Sequence, residues 1–223
     1  MREKPLSKIG DELLRLRHGL SGTSEHRTPP TGFGVDRSLV SGFVEGELSP
    51  QDEAELAGQM AGLMPFHWSQ PNSFASIMSQ VTDHLGGQRE LMAWLDRFPG
   101  RPRLVARLYV LMGLLDRYSE STAVVTALRE HREETPYPAG LKGYLVPETD
   151  DETLAGIAFR IEELLGDGDT DKAVDLALAT TDCLRRIAPR AEELDPGIGD
   201  LGEVMEHSGQ DIREAAAEAG SGS

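Results

Sequence analysis

One cysteine, two tryptophans and four lysines are all that this 223-residue chain holds of those types, and aromatic residues make up only 5% of it. The lone Cys183 excludes an internal disulfide, a Cys-x-x-Cys site and a cysteine-built zinc site, and it suits a reducing compartment. No apolar run approaches the ~20 residues that cross a bilayer. The longest, Leu108–Leu115, is broken by Gly113 and flanked by Arg107 and Asp116. The opening Met1-Arg-Glu-Lys-Pro5 lacks the apolar core of a signal peptide. These absences predict a cytoplasmic protein without a membrane role. Sustained strand alternation is also missing, which leaves helix as the regular structure.

What is present is acid. Net charge is −16, and it is uneven: from Pro147 onward there are 20 acidic and 6 basic residues, against 18 and 16 before it. An acidic final third repels phosphate backbones and suits a basic protein partner, although a merely solvated surface explains it too. With 39% hydrophobic residues the chain can bury a core without staples.

Apolar spacing and end signals predict an all-α, irregular multi-helix bundle of about 8–9 helices. The first runs over Leu6–Leu20, and Pro29-Pro30 make residues 21–34 a loop. Asp36 or Ser38 caps a short helix to Val44, and Ser49-Pro50 opens another to Met64. After a break at 65–71, helices follow over 73–85, Gln88–Phe98 and Pro102–Tyr118. The last of these, with Leu104, Leu108, Leu111 and Leu115, belongs at the centre of the core. A helix from Ser119 or Ser121 ends in the polar run Arg129–Glu134, and 135–149 is irregular. Helices to Leu165 and from Thr170 to about Ile187 form a hairpin. Beyond Pro189 only a weak helix over Asp211–Ala219 is expected. The expected domains are a small N-terminal module (1–64), a central core (65–138), an acidic hairpin region packed on it (139–219) and a disordered tail (220–223).

Patterns that carry chemistry fail their tests. The six histidines never take a metal-ligand spacing. Asp167-Gly-Asp-Thr-Asp171 starts like a calcium loop, but Lys172 and Leu178 stand where glycine and glutamate are required. Glu162 and Glu163 are adjacent and diverge by about 100° on a helix. Cys183 reads as a buried, inert thiol. No catalytic residue, metal or cofactor is assigned, and the pattern favours a non-enzymatic reading over a catalytic one.

Residues 34–64 carry two partial resemblances. Gly34, Val35, Ser38, Val40, Ser41, Gly46, Ser49 and Pro50 follow in order the recognition helix and turn of Cro/phage-repressor-type helix-turn-helix proteins. Ile9–Ser21 resembles that family's first helix, so the likeness spans 9–64. It implies base contacts by Arg37, Ser38 and Ser41 and phosphate contacts by Arg15, Arg17 and Arg27. Pro29-Pro30 depart from the family's second helix, and residues 1–37 hold only 7 basic against 5 acidic side chains. Over 41–66, Glu45-Gly-Glu-Leu-Ser-Pro50 is similar to the turn of anti-sigma-factor zinc domains. Gln59, Leu63 and Phe66 occupy the ligand positions there, which implies a metal-free version that binds a sigma factor or another polymerase-associated protein. A plain helix–turn–helix junction explains the same residues.

Phe66, Trp68, Trp94 and Tyr109 could line a ligand pocket. Arg97, Arg101, Arg103 and Arg107 are solvated helix ends, a site for an acidic partner, or partners of this chain's own acidic third. The sequence favours a non-enzymatic helical regulator acting in transcription through residues 1–64 and protein contacts. The alternatives are a pure protein–protein adaptor and an unrecognised enzyme or ligand-binding bundle. A protein partner is expected, DNA is the weaker expectation, and a homodimer is compatible with the apolar faces.

Overall fold

A computed structural model describes residues 34–66, 74–134 and 153–221. Among them the regular structure is entirely helical, in nine α-helices and two 3-10 turns, so the fold is all-α as its sequence periodicity requires. The expected helix over Leu6–Leu20 and the irregular segment 135–149 lie outside the described residues. The chain divides into two compact units, the first ending at Trp94 and the second starting at Leu95.

The first unit contains α1 (Arg37–Glu45), α2 (Pro50–Leu63), a 3-10 turn (Met64–Phe66), α3 (Phe74–Leu85) and α4 (Gln88–Leu95). Within it the Trp94 indole N–H donates to Glu53 Oε1 at 2.7 Å and ties α4 to α2. Leu56, Ala57, Met60, Ala61 and Leu63 of α2 are completely buried. Helices α1 and α3 end alike. Glu47 N donates to Gly42 O and Gly46 N to Phe43 O, while Gly87 N and Gly86 N return to Thr82 O and Asp83 O. The glycines at the turn, Gly46 and Gly86, have φ of 74° and 102°, where a Cβ is strained.

The second unit is built of α5 (Arg101–Ser119), α6 (Thr122–Glu134), α7 (Thr153–Gly166), α8 (Thr170–Leu194), a 3-10 turn (Pro196–Ile198) and α9 (Leu201–Ser221). Leu104, Leu108, Leu111 and Leu115 of α5 are buried as their spacing predicts. Helix α8 packs on α6, α7 and α9, and α5 on α7 and α9. Helices α7, α8 and α9 supply the larger share of this core.

Four boundaries differ from expectation. Helix α4 stops at Leu95 rather than Phe98, because the Arg103 guanidinium takes the Asp96 carbonyl at 2.9 Å and Pro99 disfavours helix at Phe98. Helix α8 runs through Pro189 to Leu194. Pro189 and Arg185 are exposed, so the carbonyl left unbonded by the proline faces water, while Ala188 and Ala191 stay buried. Helix α9 begins ten residues early, at Leu201, and buries Leu201, Met205, Gly209, Ile212 and Ala215 along one stripe. It also takes in Gly220 and Ser221, which were expected in the tail. Two glycines bring α9 against α8. A Cβ on Gly202 would lie 3.3 Å from Ala188 Cβ, and one on Gly209 3.0 Å from Thr181 Oγ1.

Candidate functional site

Helix α1 begins at Asp36, whose Oδ1 accepts from Ser38 N at 2.8 Å and from Ser38 Oγ at 2.7 Å. These bonds hold the carboxyl below its ordinary range, the Ser38 hydroxyl first and its backbone N–H second. Asp36 N in turn donates to Gln59 Oε1 at 2.9 Å, fastening the cap to α2. After Gly46 the chain turns into Ser49, which caps α2 by accepting from Asp52 N at 3.2 Å. Gly42 lets this turn close, since a Cβ there would meet Leu48 Cδ2 at 2.8 Å.

Arg37, Ser38 and Ser41 share the exposed side of α1 with Val44 and Glu45. The Ser38 hydroxyl is occupied by the cap. Arg37 is the lone basic residue of 34–66, against Asp36, Glu45, Glu47, Asp52, Glu53 and Glu55. That balance repels a phosphate backbone at the helix expected to read bases. Arg15, Arg17 and Arg27 lie outside the described residues.

The aromatics expected to form a pocket are placed separately. Trp68 lies outside the described residues, and Phe66 and Trp94 are buried in the first unit. Tyr109 belongs to the second unit, where its hydroxyl donates to Glu162 Oε1 at 3.0 Å. Trp94 has a ring neighbour that sequence did not single out: Phe43 of α1, 5.1 Å away between centroids. The exposed His84 of α3 meets the same Phe43 edge-on at 5.1 Å. Phe43 stands three residues after the buried Val40 on α1, while its partners from α3 and α4 had no sequence signal.

In the second unit many of the cations are used internally. Arg107 grips Asp96 through two bonds, at 2.7 and 2.8 Å, and also pairs with Asp211. Arg103 reaches Glu218 at 2.7 Å. Arg97 lies over the Phe98 ring, and Arg101 donates to Thr170 Oγ1 at 3.4 Å. Of the three readings of this arginine cluster, Arg103 and Arg107 take the internal one. Arg190 bridges α8 to Glu130 of α6 at 2.6 Å, which lowers the Glu130 carboxyl and raises the guanidinium. Arg160, Lys172, Arg185 and Arg213 also pair with carboxylates. Among the described cations of 153–221 only Arg186 is left without an ion pair.

The carboxylates outnumber these cations. Asp171 and Asp175 on α8 are exposed and unpaired among the described residues, as are Asp200, Glu203 and Glu206 at the start of α9. The i,i+4 spacing puts Asp171 and Asp175 on one face, and i,i+3 steps align the other three. The sequence showed the excess acid but not which members go unpaired. Asp167-Gly-Asp169 is a helix end: Asp169 N donates to Leu164 O and Gly168 N to Leu165 O, with Gly168 at φ 81°. Among the described residues no group of three or more His, Cys, Asp or Glu side chains could hold a metal ion, and no helix is long and apolar enough to cross a membrane. Comparison with protein-family models, characterised proteins and solved structures finds no match for this chain.

Proposed function

We propose that this chain is a non-enzymatic helical regulatory adaptor of the cytoplasm that binds a basic protein partner. The observation that carries this reading is the set of exposed carboxylates without partners among the described residues, Asp171, Asp175, Asp200, Glu203 and Glu206, in a stretch (153–221) whose described lysine and arginine residues, Arg186 excepted, form internal ion pairs. Charges left over in this way steer and orient a partner of opposite sign. The test is capture from a native lysate by the wild-type chain and by a variant with Asp171, Asp175, Glu203 and Glu206 replaced by Lys. The wild type should retain a basic protein that the variant loses. Equal retention would overturn the reading. Native mass spectrometry of the free chain separates self-association from a foreign partner.

Transcription control through DNA is the second reading. The Asp36-capped α1, the Gly46 turn and the Ser49-capped α2 follow the element order of the helix-turn-helix resemblance. Gel-shift titrations at low salt test it, because even non-specific contacts strengthen there. Retardation that Arg37→Glu abolishes would support this reading, and flat curves for every duplex would remove it. A polymerase-associated partner, as the anti-sigma resemblance implies, would instead appear in the lysate capture.

A further inference from the structure

The second unit contains a cavity of about 550 Å³ where the end of α5, the start of α6 and the 3-10 turn after α8 converge. Its walls are fixed by short turns. Ser121 N donates to Tyr118 O, and Ser121 Oγ caps α6 by accepting from Val124 N at 3.4 Å. Across the cavity Asp195 Oδ1 accepts from Gly197 N at 2.9 Å.

Tyr118 lines the cavity and is only 7% exposed, yet its hydroxyl makes no hydrogen bond to a described residue. Among the described residues no buried side-chain oxygen or nitrogen lacks a partner, so this hydroxyl keeps some access to solvent. Thr122 and Ala123 bring the first amides of α6, which have no partner inside their own helix. Arg117, which forms no ion pair among the described residues, adds a full positive charge. Opposite in sign are Glu120 and Asp195, and Leu194, 40% exposed, supplies an apolar wall with Ile198.

These groups discriminate between ligand classes. Arg117 and the α6 amides attract an anion, but two carboxylates on the rim disfavour a dianion such as phosphate. A simple cation would be repelled by Arg117. We propose that the cavity binds a small zwitterion of the amino-acid type with an apolar side chain. Its carboxylate lies toward Arg117, the α6 amides and the Tyr118 hydroxyl, its ammonium toward Glu120 and Asp195, and its side chain covers Leu194. The volume suits a metabolite-sized molecule. This goes beyond the adaptor reading, since it gives the second unit a ligand to sense, and it stands or falls separately.

Calorimetric titration of the full chain tests it, with L-leucine and L-phenylalanine as probes. The controls are 4-methylpentanoate, isoamylamine and inorganic phosphate. At least one amino acid should bind, and the leucine analogues lacking either charge should bind about tenfold more weakly or worse. Arg117→Gln should weaken the amino acid about tenfold and strengthen isoamylamine, while Asp195→Asn, which keeps a capping oxygen, should weaken the amino acid and strengthen 4-methylpentanoate. Tyr118→Phe should weaken the amino acid with helical content preserved by circular dichroism. No amino-acid binding tighter than about 1 mM would overturn the proposal. So would phosphate as the tightest ligand, or amino-acid binding indifferent to all three substitutions.

Discussion

In residues 34–66 of the first unit the carboxylates cluster about helix starts and the turn between helices. Asp36 caps α1, and Asp52 and Glu53 occupy the first turn of α2, where they meet unbonded amides and the positive end of the helix. In the second unit they serve as ends of clamps between helices far apart in sequence. Arg107 with Asp211, Arg103 with Glu218 and Arg190 with Glu130 join α5 to α9 and α8 to α6. The first arrangement stabilises helix starts, with Glu53 also accepting from Trp94 of α4. The second engages the lysine and arginine residues of α8 and α9 except Arg186, and leaves a remainder of carboxylates on the same helices. The same residue type thus shapes local structure in one unit and surface potential in the other.

The largest expected effects come from the two cores. Leu108→Ala and Leu56→Ala each remove a completely buried side chain, and each should cost about 2–5 kcal/mol. Hydrogen exchange under native conditions should show the loss of protection confined to the unit that carries the substitution. Protection lost equally in both would erase the distinction between them. Next is the α8–α9 contact: Gly209→Val forces atoms against Thr181 and should cost about 1–3 kcal/mol in urea unfolding. Smaller again is Ser49→Ala, which removes the α2 cap at a cost of about 1 kcal/mol, read in the thermal unfolding of the first unit.

The smallest effect is on pH. Asp36 and Glu130 are both held below their ordinary carboxyl values, by Ser38 and by Arg190 respectively. A depressed folded-state value gives stability that is present above the ordinary carboxylate range. That stability is lost as pH falls through the folded-state values below that range. NMR titration of the two carboxyls should find both below model-peptide values. Raising salt should move Glu130, held first by the hydrogen bond from the charged Arg190, toward its ordinary value, while Asp36, held by the neutral Ser38 hydroxyl and N–H, should shift less.

Legibility followed the range of the interactions. The α1–α2 junction was readable because caps and glycine turns act over four or five residues: Asp36, Gly46, Ser49 and Pro50 carry the signal in their own identities. The α5 stripe was readable because Leu104, Leu108, Leu111 and Leu115 bury one continuous face. Helix α9 was not, since part of its buried stripe is Gly209 and Ala215, small residues whose value lies in how closely α8 can approach. Pro189 misled for a related reason, as exposure made its lost hydrogen bond tolerable. The unpaired carboxylates became identifiable only once the long-range pairs of Arg103, Arg107 and Arg190 were known. Tyr118 was legible as the end of a core helix, but the cavity beside it depends on a turn nearly eighty residues later in the chain.

The most direct test of the leftover carboxylates is fluorescence anisotropy with two probes, a Lys/Arg-rich helical peptide and a mixed-sequence duplex, each titrated at about 50 mM and about 200 mM salt. The peptide should bind the wild-type chain more tightly than the duplex does, weaken at the higher salt, and lose affinity when Asp171, Asp175, Glu203 and Glu206 are replaced by Lys. Tighter binding of the duplex, or peptide binding indifferent to those four substitutions, would contradict the account.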